Sequence, residues 1–243
     1  MILFANGCSW TWGGGLEPYF KVNNINDDEK RLPLVWPHHL GKLLNADKVI
    51  NLGAGCGSNQ RTVRTTHDWF LKEYKNDEPI IAIIQITDPA RYEYYLTDNF
   101  EDFSNDPLNW TKLTPSAHIF NVKDLDKESC SQSDVKVKRE RDSRMSTYTL
   151  IEGMYKLISD ISALAHLFES HNVEYYFFGG YFKKFIKPNY PIEYVNYFKK
   201  LHWLECGWDN VDPVSPKDMH PSLLGHQQIA ELIYQIIRPK HVI

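Results

Sequence analysis

The chain has 243 residues, which fits one α/β domain of about 200–250 residues and is short for two. Its formal net charge of −4, with 42% hydrophobic and 24% charged residues, matches an ordinary soluble globular protein and gives no support to a nucleic-acid or anionic-membrane role. No run reaches the ~18 apolar residues of a membrane span, and Met1-Ile2-Leu3-Phe4-Ala5 lacks the basic leader of a signal peptide, so a cytoplasmic, reducing setting is the default expectation. Cys8, Cys56, Cys130 and Cys206 form no CxxC pair and suggest no disulfide framework.

Residues 2–5 are a short apolar run that stops at Asn6-Gly7, as a buried parallel strand ending in a turn would. Residues 12–33, rich in Gly, Asn and Asp, read as loop. Apolar spacing predicts a helix over 37–44 and a second strand over 48–52. That strand runs into Gly53-Ala54-Gly55-Cys56-Gly57-Ser58-Asn59, and a helix over 60–75 follows with Ser58 or Asn59 as its N-cap. Residues 79–86 make the strongest strand, apolar enough to be central.

Residues 98–146 are polar, carry Pro107 and Pro115, and end in the charged run Lys136-Val137-Lys138-Arg139-Glu140-Arg141. They predict an insertion over the carboxyl edge of the sheet, either a lid or a surface excursion. Helical periodicity at Leu150, Met154, Leu157, Ile158, Ile161, Leu164, Ala165 and Phe168 predicts a helix over 147–171. A strand over 173–178, a short helix over 192–201 and an amphipathic helix over 221–237, with Pro221 in its first turn, complete the chain. Tyr175-Tyr176-Phe177-Phe178 and other aromatics serve either core packing or a sugar-stacking surface.

Alternating strands and helices predict a parallel sheet covered on both faces, in a single domain spanning 1–243. Sites in such sheets gather outside the carboxyl ends of the strands. The loops after Ala5, Leu52 and Ile86 all leave such ends. Ser9 lies just beyond the first, where a turn can expose its hydroxyl and aim its N–H at a developing oxyanion. The glycine-rich turn can supply a further N–H from Gly55 or Gly57. Asp218-Met219-His220-Pro221 precedes the last helix, where His220 can act as base with Asp218 on its other ring nitrogen.

Three blocks in this order resemble the SGNH, or GDSL-type, hydrolase family. Gly7-Cys8-Ser9-Trp10-Thr11 is similar to the family's Gly-Asp-Ser-x-[Thr/Ser]; residues 51–59 are similar to its second block; Asp218-Met219-His220-Pro221-Ser222-Leu223-Leu224-Gly225-His226 is similar to Asp-x-x-His-Pro-x-x-x-Gly-His. The resemblance implies a flavodoxin-like three-layer α/β/α sandwich with a central parallel sheet. It also implies a serine esterase that needs no cofactor or metal and acts on an acyl ester, often an acetyl group on a sugar or lipid. Oligomeric state is left open.

The chain departs from the pattern in three places. Cys8 stands where the family has aspartate. Asp218 is two residues before His220, where the family has three, so Asp212 or a backbone carbonyl is an alternative partner for the ring. The strand over 79–86 ends in Gln85-Ile86-Thr87-Asp88-Pro89-Ala90-Arg91 without the asparagine of Gly-x-Asn-Asp, which makes Asn59 the candidate side-chain donor, against a plain helix-capping role. Gln85, Thr87, Arg91 and Glu93 are similar to a pattern of phage-encoded members. That similarity suggests Gln85 and Arg91 as substrate-binding residues at the site mouth, against an Arg91–Glu93 structural pair.

Other readings compete. The missing asparagine favours a catalytically weak SGNH-like module that binds carbohydrate or protein. The glycine-rich turn allows a flavodoxin-like nucleotide binder, although it lacks the Lys-[Ser/Thr] of a P-loop. A metal held by Asp218, His220 and His226 is the minor alternative, and His38-His39 has no ligand partner at metal spacing.

Overall fold

Strands that are apolar on both faces need cover on both faces, and that requirement organises this chain. Four parallel strands, β1 (Ile2–Asn6), β2 (Lys48–Asn51), β3 (Ile80–Gln85) and β4 (Glu174–Phe178), form the central sheet in the order β2-β1-β3-β4. This computed structural model describes residues 1–22, 25–75, 78–95, 110–113, 143, 147–179, 196–197, 200–204, 211–215 and 218–238. β1 and β3 are buried along their whole length. Side chains alternate between faces along each strand. Phe4, Ala82, Ile84, Tyr175 and Phe177 enter one core, while Leu3, Ala5, Ile81, Ile83, Tyr176 and Phe178 enter the other.

The first core is covered by α3 (Asn59–Lys72) and α4 (Leu150–Ser170), through Trp69, Phe70, Met154, Leu157, Ile161, Leu164 and Phe168. The second is covered by α2 (Trp36–Leu43) and α5 (Leu223–Ile237), through Trp36, Leu40, Ile229, Ala230, Ile233 and Ile237. Each fully buried Leu, Ile or Phe contributes about 1.5–3 kcal/mol of transfer free energy, so these two clusters outweigh any surface term. The helices begin where their capping residues place them. Ser58, Thr149 and Ser222 each accept a hydrogen bond from the backbone N–H three residues on.

The result is the expected three-layer α/β/α arrangement around a parallel sheet, in the flavodoxin-like strand order. A fifth position is begun beside β4: Trp203 makes a parallel bridge to Phe177, and Leu204 N–H donates to Phe177 O at 2.7 Å. Register brings the site-bearing ends level. Ala5 pairs with Asn51 on one side and with Ile83 on the other.

Three local expectations change. Residues 12–33 are not simply loop, because one-turn helices at Glu17–Phe20 and Asp28–Arg31 flank a two-residue hairpin, Lys21–Val22 with Ile25–Asn26. Leu16 and Phe20, one helical turn apart, are buried with Val35, and Asp27 caps the second turn at Lys30 N–H. Pro221 lies outside the last helix, bridged to Pro213, with Ser222 as N-cap. Most of 98–146 lies outside the described residues, apart from Trp110–Leu113, antiparallel to Tyr92–Tyr95, and Ser143. The short helix expected over 192–201 also lies largely outside them. Among the described residues no helix is long and apolar enough to cross a membrane.

Candidate active site

β1 ends at Asn6, and the chain then turns sharply through Gly7, whose φ of +153° and close neighbours exclude a side chain. A Cβ there would lie 2.5 Å from Gln85 Cβ. Ser9 opens a single helical turn, α1 (Ser9–Trp12), and its carbonyl accepts from Gly13 and Gly14 N–H at 2.8 and 2.7 Å. The turn lifts the Ser9 side chain to partial exposure and buries Cys8 beneath it, with the Ser9 hydroxyl 4.0 Å from Cys8 Sγ. Cys8 and Cys56 are both free thiols.

His220 arrives from the other end of the chain on a tight loop. Val214 N–H donates to His220 O at 2.8 Å, and Asp218 N–H donates to the Ser215 carbonyl and hydroxyl at 3.1 and 3.0 Å. The bridge from Pro213 to Pro221 closes this loop just before Ser222 caps α5. His220 Nε2 lies 2.9 Å from Ser9 Oγ, and His220 Nδ1 lies 2.6 Å from Asp218 Oδ1. Asp218 is a carboxylate that can only accept, so Nδ1 carries the proton and Nε2 presents its lone pair to the serine hydroxyl. Partial burial alone would raise the Asp218 pKa; the His220 backbone N–H, ring and charge together outweigh it and hold the carboxyl below its ordinary value. The two-residue spacing is thus accommodated, and Asp212 instead accepts from the Ser222 hydroxyl.

The structure brings Ser9, His220 and Asp218 together, and it places the other expected residues differently. Ser9 N–H donates to no acceptor among the described residues. Gly57 N–H donates to Ala54 O at 3.0 Å, closing its own turn, so the expected donor role finds no support there. Gly55 is half-buried on the same turn, where a Cβ would lie 3.9 Å from the Trp12 ring. Asn59 is 3% exposed, and its amide exchanges two hydrogen bonds with the Thr87 backbone at 3.0 and 2.9 Å. Asn59 therefore ties α3 to the segment after β3. Ser58 is the cap, and neither the donor role nor the capping role expected for Asn59 is seen.

Gln85 is 2% exposed rather than at the site mouth, and its Oε1 accepts from Thr11 N–H and Thr11 Oγ1 at 3.1 and 2.8 Å. Arg91 is half-buried just beyond β3, and its Nη1 is buried without a hydrogen-bond partner among the described residues. Glu93 pairs with Arg64, at 3.0 Å through both carboxylate oxygens, and not with Arg91. His226 is fully buried, and its Nδ1 accepts from Trp36 N–H at 3.1 Å, so it packs α5 against α2. No cluster of three metal-binding side chains occurs among the described residues. A cavity of about 500 Å³ lined by Val35, Pro37, His38, Lys42 and Val49 lies along α2 and the outer edge of β2, and none of Ser9, Asp218 and His220 lines it.

Sequence reasoning missed several supporting residues. Asn6 Nδ2 reaches Thr62 O, Thr65 Oγ1 and Thr66 Oγ1, and Asn51 Nδ2 donates to Thr11 O at 2.9 Å. Gly14 backs directly onto the site, since a Cβ there would lie 2.9 Å from His220 Cδ2 and 3.0 Å from Ser9 Cβ. The available signal was the amide at each strand end, an uncommon residue in an otherwise apolar strand.

A family model described as a family of unknown function, DUF6071, matches residues 21–180, about two thirds of the chain. The chain belongs to DUF6071. The DUF6071 match spans Gly55, Gly57, Asn59, Gln85 and Arg91, whereas Ser9, Asp218 and His220 lie outside it. No curated protein matches the sequence. Among solved structures, the chain is similar to a protein assigned to the lipolytic G-D-S-L family from Desulfitobacterium hafniense DCB-2, at 14% identity over 97% of this chain and 98% of that one, TM-score 0.50. It is also similar to an acetyl xylan esterase, Est2A, from Butyrivibrio proteoclasticus, at 14% identity and TM-score 0.53, covering 99% of this chain and 64% of that longer one. TesA gives 10% identity over 98% of this chain and 99% of that one, TM-score 0.50. These likenesses are of fold, and the fold is the α/β architecture of GDSL-type lipolytic proteins and esterases.

Proposed function

We propose that this protein is a serine esterase that cleaves an acyl ester, such as an acetyl ester of a carbohydrate or lipid. The observation that carries the reading is the continuous chain from Ser9 Oγ through the His220 ring to Asp218, at 2.9 and 2.6 Å. In this mechanism Ser9 Oγ attacks the ester carbonyl carbon while its proton passes to His220 Nε2. The carbonyl electron pair becomes an oxyanion, which the Ser9 N–H can hold. The tetrahedral adduct collapses, His220 returns the proton to the leaving alkoxide, and an acyl-Ser9 ester remains. Water, deprotonated by the same ring, then releases the acid and restores Ser9.

The carbohydrate option draws on the acetyl xylan esterase likeness, and the lipid option on the lipolytic one. Phage encoding rests on the sequence resemblance alone, the single-domain reading on chain length and the strand–helix pattern, and the lid role for 98–146 on the polar composition of that stretch. The test is hydrolysis of p-nitrophenyl acetate, followed by a panel of acetylated oligosaccharides, with wild type and Ser9→Ala. Wild type is expected to turn over and Ser9→Ala to fall to background; equal rates would reject the assignment.

A second reading, a catalytically weak binding module, is favoured by one observation. Two of the expected oxyanion donors, Gly57 N–H and the Asn59 amide, are engaged within the protein. A fluorophosphonate probe separates the readings, because an activated serine reacts and an idle one does not.

A further inference from the structure

Among the described residues the Ser9 N–H is an open donor on the nucleophile turn, and acyl transfer commonly uses two or three such donors. Gln85 ends β3, and its side chain runs beneath Gly7, the residue two positions before the nucleophile. Its amide orientation is fixed by chemistry. Thr11 N–H can only donate, so the amide atom 3.1 Å from it must be the oxygen. The Thr11 hydroxyl donates to the same oxygen at 2.8 Å. The oxygen is therefore clamped to the turn that begins at Ser9, and Nε2, on the same carbon, is clamped with it.

Nε2 itself donates to no group among the described residues. Gln85 is 2% exposed, so its side chain is held almost wholly out of water. A buried amide with its acceptor end doubly satisfied and its donor end open is a preorganised donor in want of an acceptor. Its side chain lies against Gly7 and Thr11, which flank Ser9 in the sequence, so this open donor sits on the turn that carries the nucleophile.

Resting on the esterase reading above, we propose that Gln85 Nε2 donates to the oxyanion formed on the substrate carbonyl when Ser9 attacks, and that Gln85 is therefore a catalytic residue. Thr11 is its positioning residue. A glutamine on the strand thus takes the place of an asparagine beyond it.

The experiment compares wild type, Gln85→Glu and Gln85→Met for ester hydrolysis, with fluorophosphonate labelling and thermal unfolding measured alongside. Glutamate keeps the acceptor for Thr11 and removes the donor, so it separates the two roles of the amide. Both variants are expected to keep KM within about threefold and to lose kcat by about 100–1,000-fold. Binding of phenylboronic acid, whose tetrahedral adduct with serine is an anion that sets a hydroxyl oxygen where the oxyanion forms, is expected to weaken in parallel. Gln85→Glu with wild-type kcat would overturn the proposal and leave Gln85 as a structural acceptor only. Should either variant unfold, the boronate-to-substrate affinity ratio of the other decides, and an unchanged ratio would also overturn it. A wild type that neither hydrolyses ester nor labels at Ser9 would sink the esterase reading itself, a distinct outcome.

Discussion

Only one residue separates Asp218 from His220, and the geometry uses that short spacing twice. Asp218 Oδ1 accepts from the His220 backbone N–H at 3.1 Å and from its ring at 2.6 Å, so one oxygen fixes both the loop and the tautomer. Asp218→Asn would keep the shape and remove the charge that supports the imidazolium. In the proposed mechanism kcat falls on the order of 10³–10⁴-fold while the Tm shifts little; a kcat within tenfold of wild type would contradict this. With its pKa held low, Asp218 stays ionised throughout the neutral range. Gly14 offers a second test at this scale. A Cβ at Gly14 would press on His220 and Ser9 together, at 2.9 and 3.0 Å. Gly14→Ala should therefore separate the pair and cut kcat by at least about tenfold, since small misplacements of reacting groups are costly. Steady-state kinetics beside a thermal melt would read this, and unchanged kcat would mean the ring tolerates the shift.

At the scale of elements, His226 is the contact that pins α5 to the start of α2. Its Nδ1 accepts from Trp36 N–H, and its burial, helped by the nearby His39 and His220, pushes its pKa down to about 3. The unfolded chain would bind a proton at an ordinary histidine near pH 6.5, while the folded chain stays neutral there. The His226 contribution is therefore complete above about pH 6.5 and is lost as the pH falls from there towards about 3, at about 1.4 kcal/mol per pH unit. His226→Leu should destabilise by about 1–3 kcal/mol at pH 7, because Trp36 N–H loses its acceptor. Urea unfolding at several pH values should show the gap between wild type and variant narrowing as the pH drops below about 6.5 and then changing sign, because the accumulated loss exceeds about 3 kcal/mol before pH 3 is reached. A gap independent of pH would contradict the linkage. The same loop-to-helix junction shows what sequence reading handles poorly. Pro221 was expected inside α5 because prolines suit first turns, whereas Ser222, with a hydroxyl to cap Gly225 N–H, sets the boundary instead.

For the whole molecule, the legible features were those written as long apolar patterns. The strands at residues 2–6, 48–51, 80–85 and 174–178 and the helices around 36–43, 59–72, 150–170 and 223–237 all follow from two-sided or one-sided burial, which periodicity records directly. Ser9, Asp218 and His220 were legible because their order and their places at strand and helix ends constrain one another. Of the expected donors, Gly57 and Asn59 were not. Whether Gly57 N–H is open or closed depends on Ala54 O, and whether Asn59 faces the site depends on Thr87, a residue 28 positions away. Such choices are made by tertiary hydrogen bonding, which leaves no period in the chain. The short helices within 12–33 escaped for a related reason: four-residue turns held by Leu16 and Phe20 are too brief to show a repeat.

Beneath the site, the carboxyl ends of β1, β2 and β3 are laced to their surroundings by Asn6, Asn51, Asn59 and Gln85. All four are amides, which carry dipoles but no net charge and do not titrate. These four ties add no charge of their own. A change of acidity that protonates a carboxylate or an imidazole leaves these four ties intact, so the ends of β1, β2 and β3 keep them across the pH range in which the site titrates.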